Sequence, residues 1–392
     1  MKCKWQTVPL RDLVEYISKG IAPSYAENET DTTIRVLNQK CNRNFQISYE
    51  QSRLHDISKK KVPNEKYIQK DDILINSTGT GTAGRIAQIK EVPCKTTVDG
   101  HMIIIRANKK VTQRYLGYAL RAHQAEVLQL DEGSTGQTEL NRERLLDEIL
   151  ISYPESFDEQ KRITDLLGEL DDKIQLNKKV NENLQQQATA LFDSLYNNAD
   201  SGVSFTDIIQ ILGGGTPKTK ESLYWNGNIP FFTPKDVGSP YTLTTEKTIT
   251  EDGLAHCNSH LYPPNTVFVT ARGTVGKVGM AGIPMAMNQS CYALVGKEIH
   301  QLLVYFYTLK VVDRLKHKAS GAVFDAITTR DFESEEIMKL SDSAAEMFLN
   351  VAEPMYQAIL SNSVENLRLA VLRDELLPRL MSGEVDVSNL QV

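Results

Sequence analysis

The sequence predicts an α+β protein: two globular units, each built on β-hairpin-rich mixed sheets, separated by two long helices that pair as an antiparallel coiled coil. Three observations predict it. A strand, glycine turn, strand segment occurs twice; a heptad pattern occurs twice at an offset of 185 residues; and the 392 residues have ordinary globular composition, 41% hydrophobic and 24% charged. The boundaries that follow are 1–155 for the first unit, 156–198 for a central helix, 199–345 for the second unit and 346–392 for a C-terminal helix.

The hairpin is DDILINSTGTGTAGRIAQI at 71–89 and NTVFVTARGTVGKVGMAGI at 265–283. Alternation at Ile73 and Ile75, and at Val267 and Val269, predicts strands with one inward face, and Gly79 and Gly273 supply the positive φ of a tight turn. Each copy is followed by a helix-like stretch (Gln113 to Leu130, His300 to Lys318), a Gly/Ser turn (Gly133 to Gly136, Ser320–Gly321) and a long helix. In those helices apolar positions step by four and three: Ile163, Leu167, Leu170, Ile174, Leu184, Ala188, Leu191 and Leu195, with Asn177 and Asn181 in the same register. The second copy runs Phe348, Ala352, Met355, Ile359, Asn362, Asn366, Leu369, Arg373, Leu376 and Leu380. Arg373 departs from the seam, and Pro354 is expected in the first turn of its helix, so that this copy begins later. The second helix buries its seam against the first only by running back along it, and the paired asparagines are expected to set register at some cost in stability. Apart from this seam, the two copies are not matched position by position.

Composition narrows the function classes. The five cysteines, Cys3, Cys41, Cys94, Cys257 and Cys291, are far apart with no C-x-x-C pair, which argues against a disulfide framework or zinc site and predicts reduced, mostly buried thiols. The opening stretch lacks a signal-peptide pattern and no apolar run reaches membrane-spanning length, so a cytoplasmic protein with no membrane partner is expected. Net charge is -6, unevenly spread: residues 1–121 hold 21 Lys/Arg against 12 Asp/Glu, residues 122–196 hold 7 against 16, and residues 197–345 hold 13 against 15. Charge therefore supports a polyanionic partner in the first unit only.

Catalytic motifs are missing. Gly79 to Gly84 spells G-x-G-x-x-G, but an alternating stretch and then Pro93 follow where a dinucleotide loop must open a helix, and the second copy lacks the fingerprint. No G-x-x-x-x-G-K-[ST], H-E-x-x-H or G-x-S-x-G motif occurs, and Tyr262-Pro263-Pro264-Asn265 is not an amino-methyltransferase loop. No catalytic residue and no metal ligand is assigned. What remains are polar, basic, glycine-rich segments suited to groove and phosphate contact. In the first unit the candidate DNA-binding residues are Lys19, Gly20, Asn38, Gln39, Arg43, Thr78, Gly79, Thr80, Arg85, Ser134, Thr135 and Gln137; Lys59 to Lys61 form a further basic run. In the second they are Thr216, Lys218, Lys220, Thr233, Lys235, Arg272, Gly273, Thr274 and Lys277, whereas Asn288-Gln289 reads as a structural polar bridge.

These residues resemble the specificity subunits of type I restriction-modification systems. The resemblance covers essentially the whole chain and is carried by Gly-Gly-Thr-Pro-Lys at 214–218, Asn-Ile-Pro-Phe-Phe-Thr-Pro-Lys-Asp-Val at 228–237, the Ala-Arg-Gly-Thr-Val-Gly-Lys-Val hairpin, Asp158 to Ile163, and Leu376 to Glu384. It implies two target-recognition domains, each reading one half of a split, asymmetric site in double-stranded DNA, with the helices as spacer and docking surface. It also implies two methyltransferase (M) subunits that carry S-adenosylmethionine, and restriction (R) subunits that use ATP and Mg, with no cofactor in this chain. The alternatives are the specificity subunit of a fused type II (IIB/IIG-like) system, a coiled-coil scaffold that reads no DNA, and a stand-alone enzyme using Gly79 to Gly84 for a nucleotide.

Overall fold

The computed structural model describes residues 4–132, 139–238, 240–318 and 326–387. The chain divides into two compact units: Met1–Asp172 with Leu369–Val392, and Lys173–Arg368. In the first unit an antiparallel sheet runs in the order Val14–Lys19, Met102–Ala107, Ile73–Asn76, Ile86–Gln88. Beside it a second sheet runs Thr96–Val98, Thr33–Leu37, Arg53–Asp56, Tyr25–Ala26, its first pair parallel. Trp5–Pro9 pairs with Leu150–Pro154. The second unit repeats the plan: Ile209–Gly213, Cys291–Gly296, Val267–Thr270, Val278–Ala281 and Tyr241–Thr242 in one sheet, and Lys247–Ile249, Trp225–Phe232 and Ala286–Met287 in the other.

Both segments singled out as hairpins are hairpins, with Ile75 opposite Ile86 and Val269 opposite Val278. Their strands are not one-faced, however. All four residues of Ile73–Asn76 and of Val267–Thr270 are buried, because each strand is central and each sheet is covered on both sides. Ile73 and Ile75 enter one apolar cluster with Leu116 and Leu120 of the helix Gln113–Ala122, while Leu74 enters another with Leu37 and Val98. Full burial, not alternation, is what a covered central strand demands.

The first long helix spans Phe157–Asn197 and the second Asp342–Met381. Pro354 therefore lies well inside the second helix, where its missing N–H leaves one turn unbonded, and not in its first turn. Its exposed face makes this tolerable. In the first unit Ile163 and Leu167 are fully buried with Leu377 and Leu380, while Leu170, Leu369 and Leu376 are half-buried. Arg373 joins the seam after all: its Nη1 donates to buried Asp171 at 2.9 Å, and Asp171 also receives Arg121 Nη1 and the Tyr118 hydroxyl, each at 2.9 Å.

In the second unit Ile174, Asn177, Asn181, Ala188 and Ile359 are buried, and Leu184 half-buried. Asn177 Nδ2 donates to Asn366 Oδ1 at 3.0 Å, and Asn362 Nδ2 donates to Asn181 Oδ1 at 2.8 Å, which fixes an antiparallel register here. Further along, Phe192 and Tyr196 are the buried positions, and Leu191 and Leu195 are only half-buried beside them. Phe192 stacks on Phe306 of the helix Gln301–Lys318 and meets Phe348 edge-on, so a large aromatic captures the core-facing stripe one residue past the heptad position.

Of the described cysteines Cys41 and Cys291 are buried, Cys257 is half-buried and Cys94 exposed, and all four are free thiols; burial of most of them is therefore not observed. Among the described residues no helix is long and apolar enough to cross a membrane.

Candidate nucleic-acid interface

Backbone hydrogen bonds align the two units residue by residue, well beyond the helix seam that the sequence matches. In the first unit Asp99 N donates to Leu37 O, Ser77 N to His101 O, Gly84 N to Asn76 O and Leu140 N to Ser77 O, at 2.8–2.9 Å. In the second, Asn288 N donates to Phe232 O, Ala271 N to Ser290 O, Gly276 N to Thr270 O and Ile327 N to Ala271 O, again at 2.8–2.9 Å. Asn76 thus corresponds to Thr270, Thr78 to Arg272, Asp99 to Asn288 and His101 to Ser290. Gly84 and Gly276 close the two hairpin turns with φ of 82° and 76°.

In the first unit these bonds gather several candidates on one patch. Lys19 ends its strand in an ion pair with Glu139, and Glu139 bridges to Thr78 through the backbone. Thr78 Oγ1 lies 2.7 Å from His101 Nδ1 and 3.5 Å from Gln39 Oε1. Beneath them is a buried polar relay: Asn42 Nδ2 donates to Asn76 Oδ1 at 3.1 Å and to Arg85 O at 2.8 Å, and Asn76 Nδ2 donates to Gln39 O at 3.2 Å. Bonds of this kind, made away from water, hold loops in one place. Gly79 and Thr80 form the tip above this relay.

Other first-unit candidates lie outside this patch. Gly20 is buried where a Cβ would fall 2.1 Å from Val98 O, and Gly214 answers it with 2.2 Å to Asn288 O. Asn38 shapes its own loop, accepting from Lys40 N at 2.8 Å and donating to Gln51 O at 2.7 Å. Arg85 Nη2 folds back on Gly81 O at 3.0 Å. Arg43 is exposed beside a turn in which Asn44 and Phe45 take φ of 53° and 60°. Lys60 Nζ donates to Ala22 O at 2.8 Å. Ser134, Thr135 and Gln137, like the turn at Ser320–Gly321, lie outside the described residues.

In the second unit Thr216 Oγ1 donates to Gln289 Oε1, and Arg272 N donates to Ser290 O at 3.2 Å, which places Thr216, Gln289, Ser290 and exposed Arg272 together. Gly273, with φ of 81°, turns the chain next to Arg272. Lys218 and Lys220 are exposed on the following loop, which Trp225 Nε1 closes on Lys218 O at 3.2 Å. The Thr233 N–H and hydroxyl both bond to Asp236 Oδ2, at 2.8 and 2.6 Å, and Lys235 pairs with Glu246 at 3.6 Å. Thr274 O accepts from the Thr270 hydroxyl, and Lys277 N donates to Thr270 Oγ1 at 2.9 Å. The Lys277 side chain is exposed.

The Asn288-Gln289 pair, read as a polar bridge, makes bonds within the fold at both residues, Gln289 with Thr216 and Asn288 with Ser290. Asn288 Oδ1 accepts from Ser290 N at 3.0 Å, as Asp99 Oδ1 accepts from His101 N at 2.9 Å, but Gln289 reaches the patch. Burial pushes the Asp99 carboxyl up from the usual range, against the hydrogen bond from His101 N; Asn288 does the same work without a charge. His101 escaped sequence reasoning altogether. Its only signal was the Asp-Gly-His turn between two apolar strands.

Two α+β units bearing equivalent polar turns define an internally duplicated protein. The chain belongs to the family described as the type I restriction modification DNA specificity domain, whose model matches residues 2–186 and 202–339. It is 31% identical over 137 residues to the type I restriction enzyme MjaIX specificity subunit of Methanocaldococcus jannaschii, spanning 33% of this chain and 32% of that one. It is 24% identical over 307 residues to the HindI specificity subunit of Haemophilus influenzae, covering 58% and 67% of the two chains. The first match thus covers about a third of that relative. The fold is similar to the crystal structure of the type I restriction-modification S subunit from M. genitalium, with a TM-score of 0.60 at 14% identity, over 97% and 96% of the chains.

Proposed function

We propose that this chain reads DNA sequence for a type I restriction-modification complex, each unit recognising one half of a bipartite, asymmetric target. The observation that carries the reading is the aligned pair of patches: the same backbone positions, held by the same hydrogen bonds, present different side chains, Thr78 and His101 in one unit, Arg272 and Ser290 in the other. A scaffold has no need to keep loop backbones constant while changing what they display. A reader of two unlike half-sites does.

On this proposal the chain makes no bond-breaking step itself. Methyltransferase subunits docked on the helices bring S-adenosylmethionine, and restriction subunits bring ATP and Mg. The test is base-resolution mapping of N6-methyladenine in cells that express the chain with its methyltransferase partner. A two-part motif is expected, and exchanging residues 1–150 for those of a relative should change one half of it and leave the other. A motif with no split, or changed in both halves, would overturn the proposal.

A further inference from the structure

We infer that His101 is a specificity-determining residue of the first unit, contacting a base edge through Nε2, with Thr78 as its positioning residue; this rests on the DNA-reading function proposed above. The two patches differ by an exchange. At the hairpin position one unit has Thr78 and the other Arg272; at the neighbouring turn one has His101 and the other Ser290. Each unit therefore carries one small hydroxyl side chain and one long nitrogen-bearing side chain at the same two backbone positions, with the long one moved from hairpin to turn. Arg272 is a residue type that reads guanine edges, and His101 occupies the partner place in the first unit.

The geometry suits contact and not packing. The His101 side chain is exposed, with its ring held at Nδ1, 2.7 Å from Thr78 Oγ1, and its backbone held on both sides, the N donating to Asp99 Oδ1 at 2.9 Å and the carbonyl accepting from Ser77 N at 2.8 Å. With Nδ1 engaged, Nε2 is the ring atom left for a partner. An imidazole so held loses little rotamer freedom on binding, which is how an exposed side chain gains selectivity. Gln39 and Lys19 stand beside it, linked through Thr78 and Glu139, so a groove presented to His101 also meets an amide and an amine.

The test uses the full chain with its methyltransferase partner and reads the methylated motif genome-wide. His101→Ala should relax one base pair in the first unit's half-site, with discrimination there falling about tenfold or more, while the second half-site stays unchanged. Thr78→Val should relax the same base pair, and Thr78→Ser should restore it, a rescue that a merely structural role in the hairpin would not give. Hydrogen exchange of residues 73–88 checks that the hairpin still forms in each variant. An unchanged motif for His101→Ala overturns the inference, as does uniform weakening at all sites, which would mark a phosphate contact. Failure of the wild-type complex to methylate any two-part motif would overturn the functional reading and this inference with it.

Discussion

Asp171 is the residue on which the first unit's helix packing turns. It is 7% exposed, and it compensates two arginines, Arg121 and Arg373, which themselves sit largely out of water. Replacing it with alanine leaves the two cations only the exposed Asp374, 2.7 Å from Arg373 Nη2 and 3.8 Å from Arg121 Nη2, and should cost about 3 kcal/mol, read as a lower urea midpoint. Burial pushes its carboxyl upward, but the Arg121 charge and the Arg373 hydrogen bond outweigh that, and the group ends below its ordinary value. A carboxyl depressed in the folded state contributes stability in full above the unfolded value of about 3.9 and loses it as pH falls through the folded value. Wild-type stability should therefore drop more steeply below about pH 4 than that of Asp171→Asn, whose curve lacks this component. Parallel curves for the two would remove Asp171 from the account.

Among the elements, the second long helix keeps a proline that a helix former would improve. Pro354 withholds the N–H that Asn350 O would accept, and its side chain is exposed, so Pro354→Ala should stabilise the chain by about 1–3 kcal/mol and raise its melting temperature. A fall instead would mean that a bend at Pro354 is required by packing around Tyr356. The helices were the most legible part of the sequence. Their seam is written in side-chain type, and the asparagines that mark its register, Asn177 with Asn366 and Asn181 with Asn362, bond to each other as the heptads imply. Where the pattern misled, two apolar neighbours competed for one face, as Leu191 did with Phe192, and bulk decided. The patches were far less legible. Gln39 on a polar loop, and Thr78 and Arg272 beside glycine turns, were identifiable in the sequence, but the alignment of the two hairpins is written in backbone hydrogen bonds, to which sequence is nearly blind. His101 and Gln289 came to the patch through sheet topology that joins residues distant in the chain.

For the whole molecule, the division of the core makes the units unequal in a testable way. The first unit's main apolar cluster includes Leu377, Leu380, Met381 and Val387, and Gly383 packs on Trp5. Removing residues 369–392 takes away four buried side chains, each worth about 1.5–3 kcal/mol, while the second unit, Lys173–Arg368, loses none of its own residues. Hydrogen exchange on such a truncated chain should show lost protection in the strands Ile73–Asn76 and Met102–Ala107, with Val267–Thr270 still protected. The same arrangement sets an order during synthesis. The unit Lys173–Arg368 is complete as soon as Arg368 has left the ribosome, whereas the unit that starts before it waits, its core unclosed, for residues 369–387. A message cut short soon after the Arg368 codon then yields a protein with one finished unit and one unfinished, and the open core of the unfinished unit marks it for proteolysis.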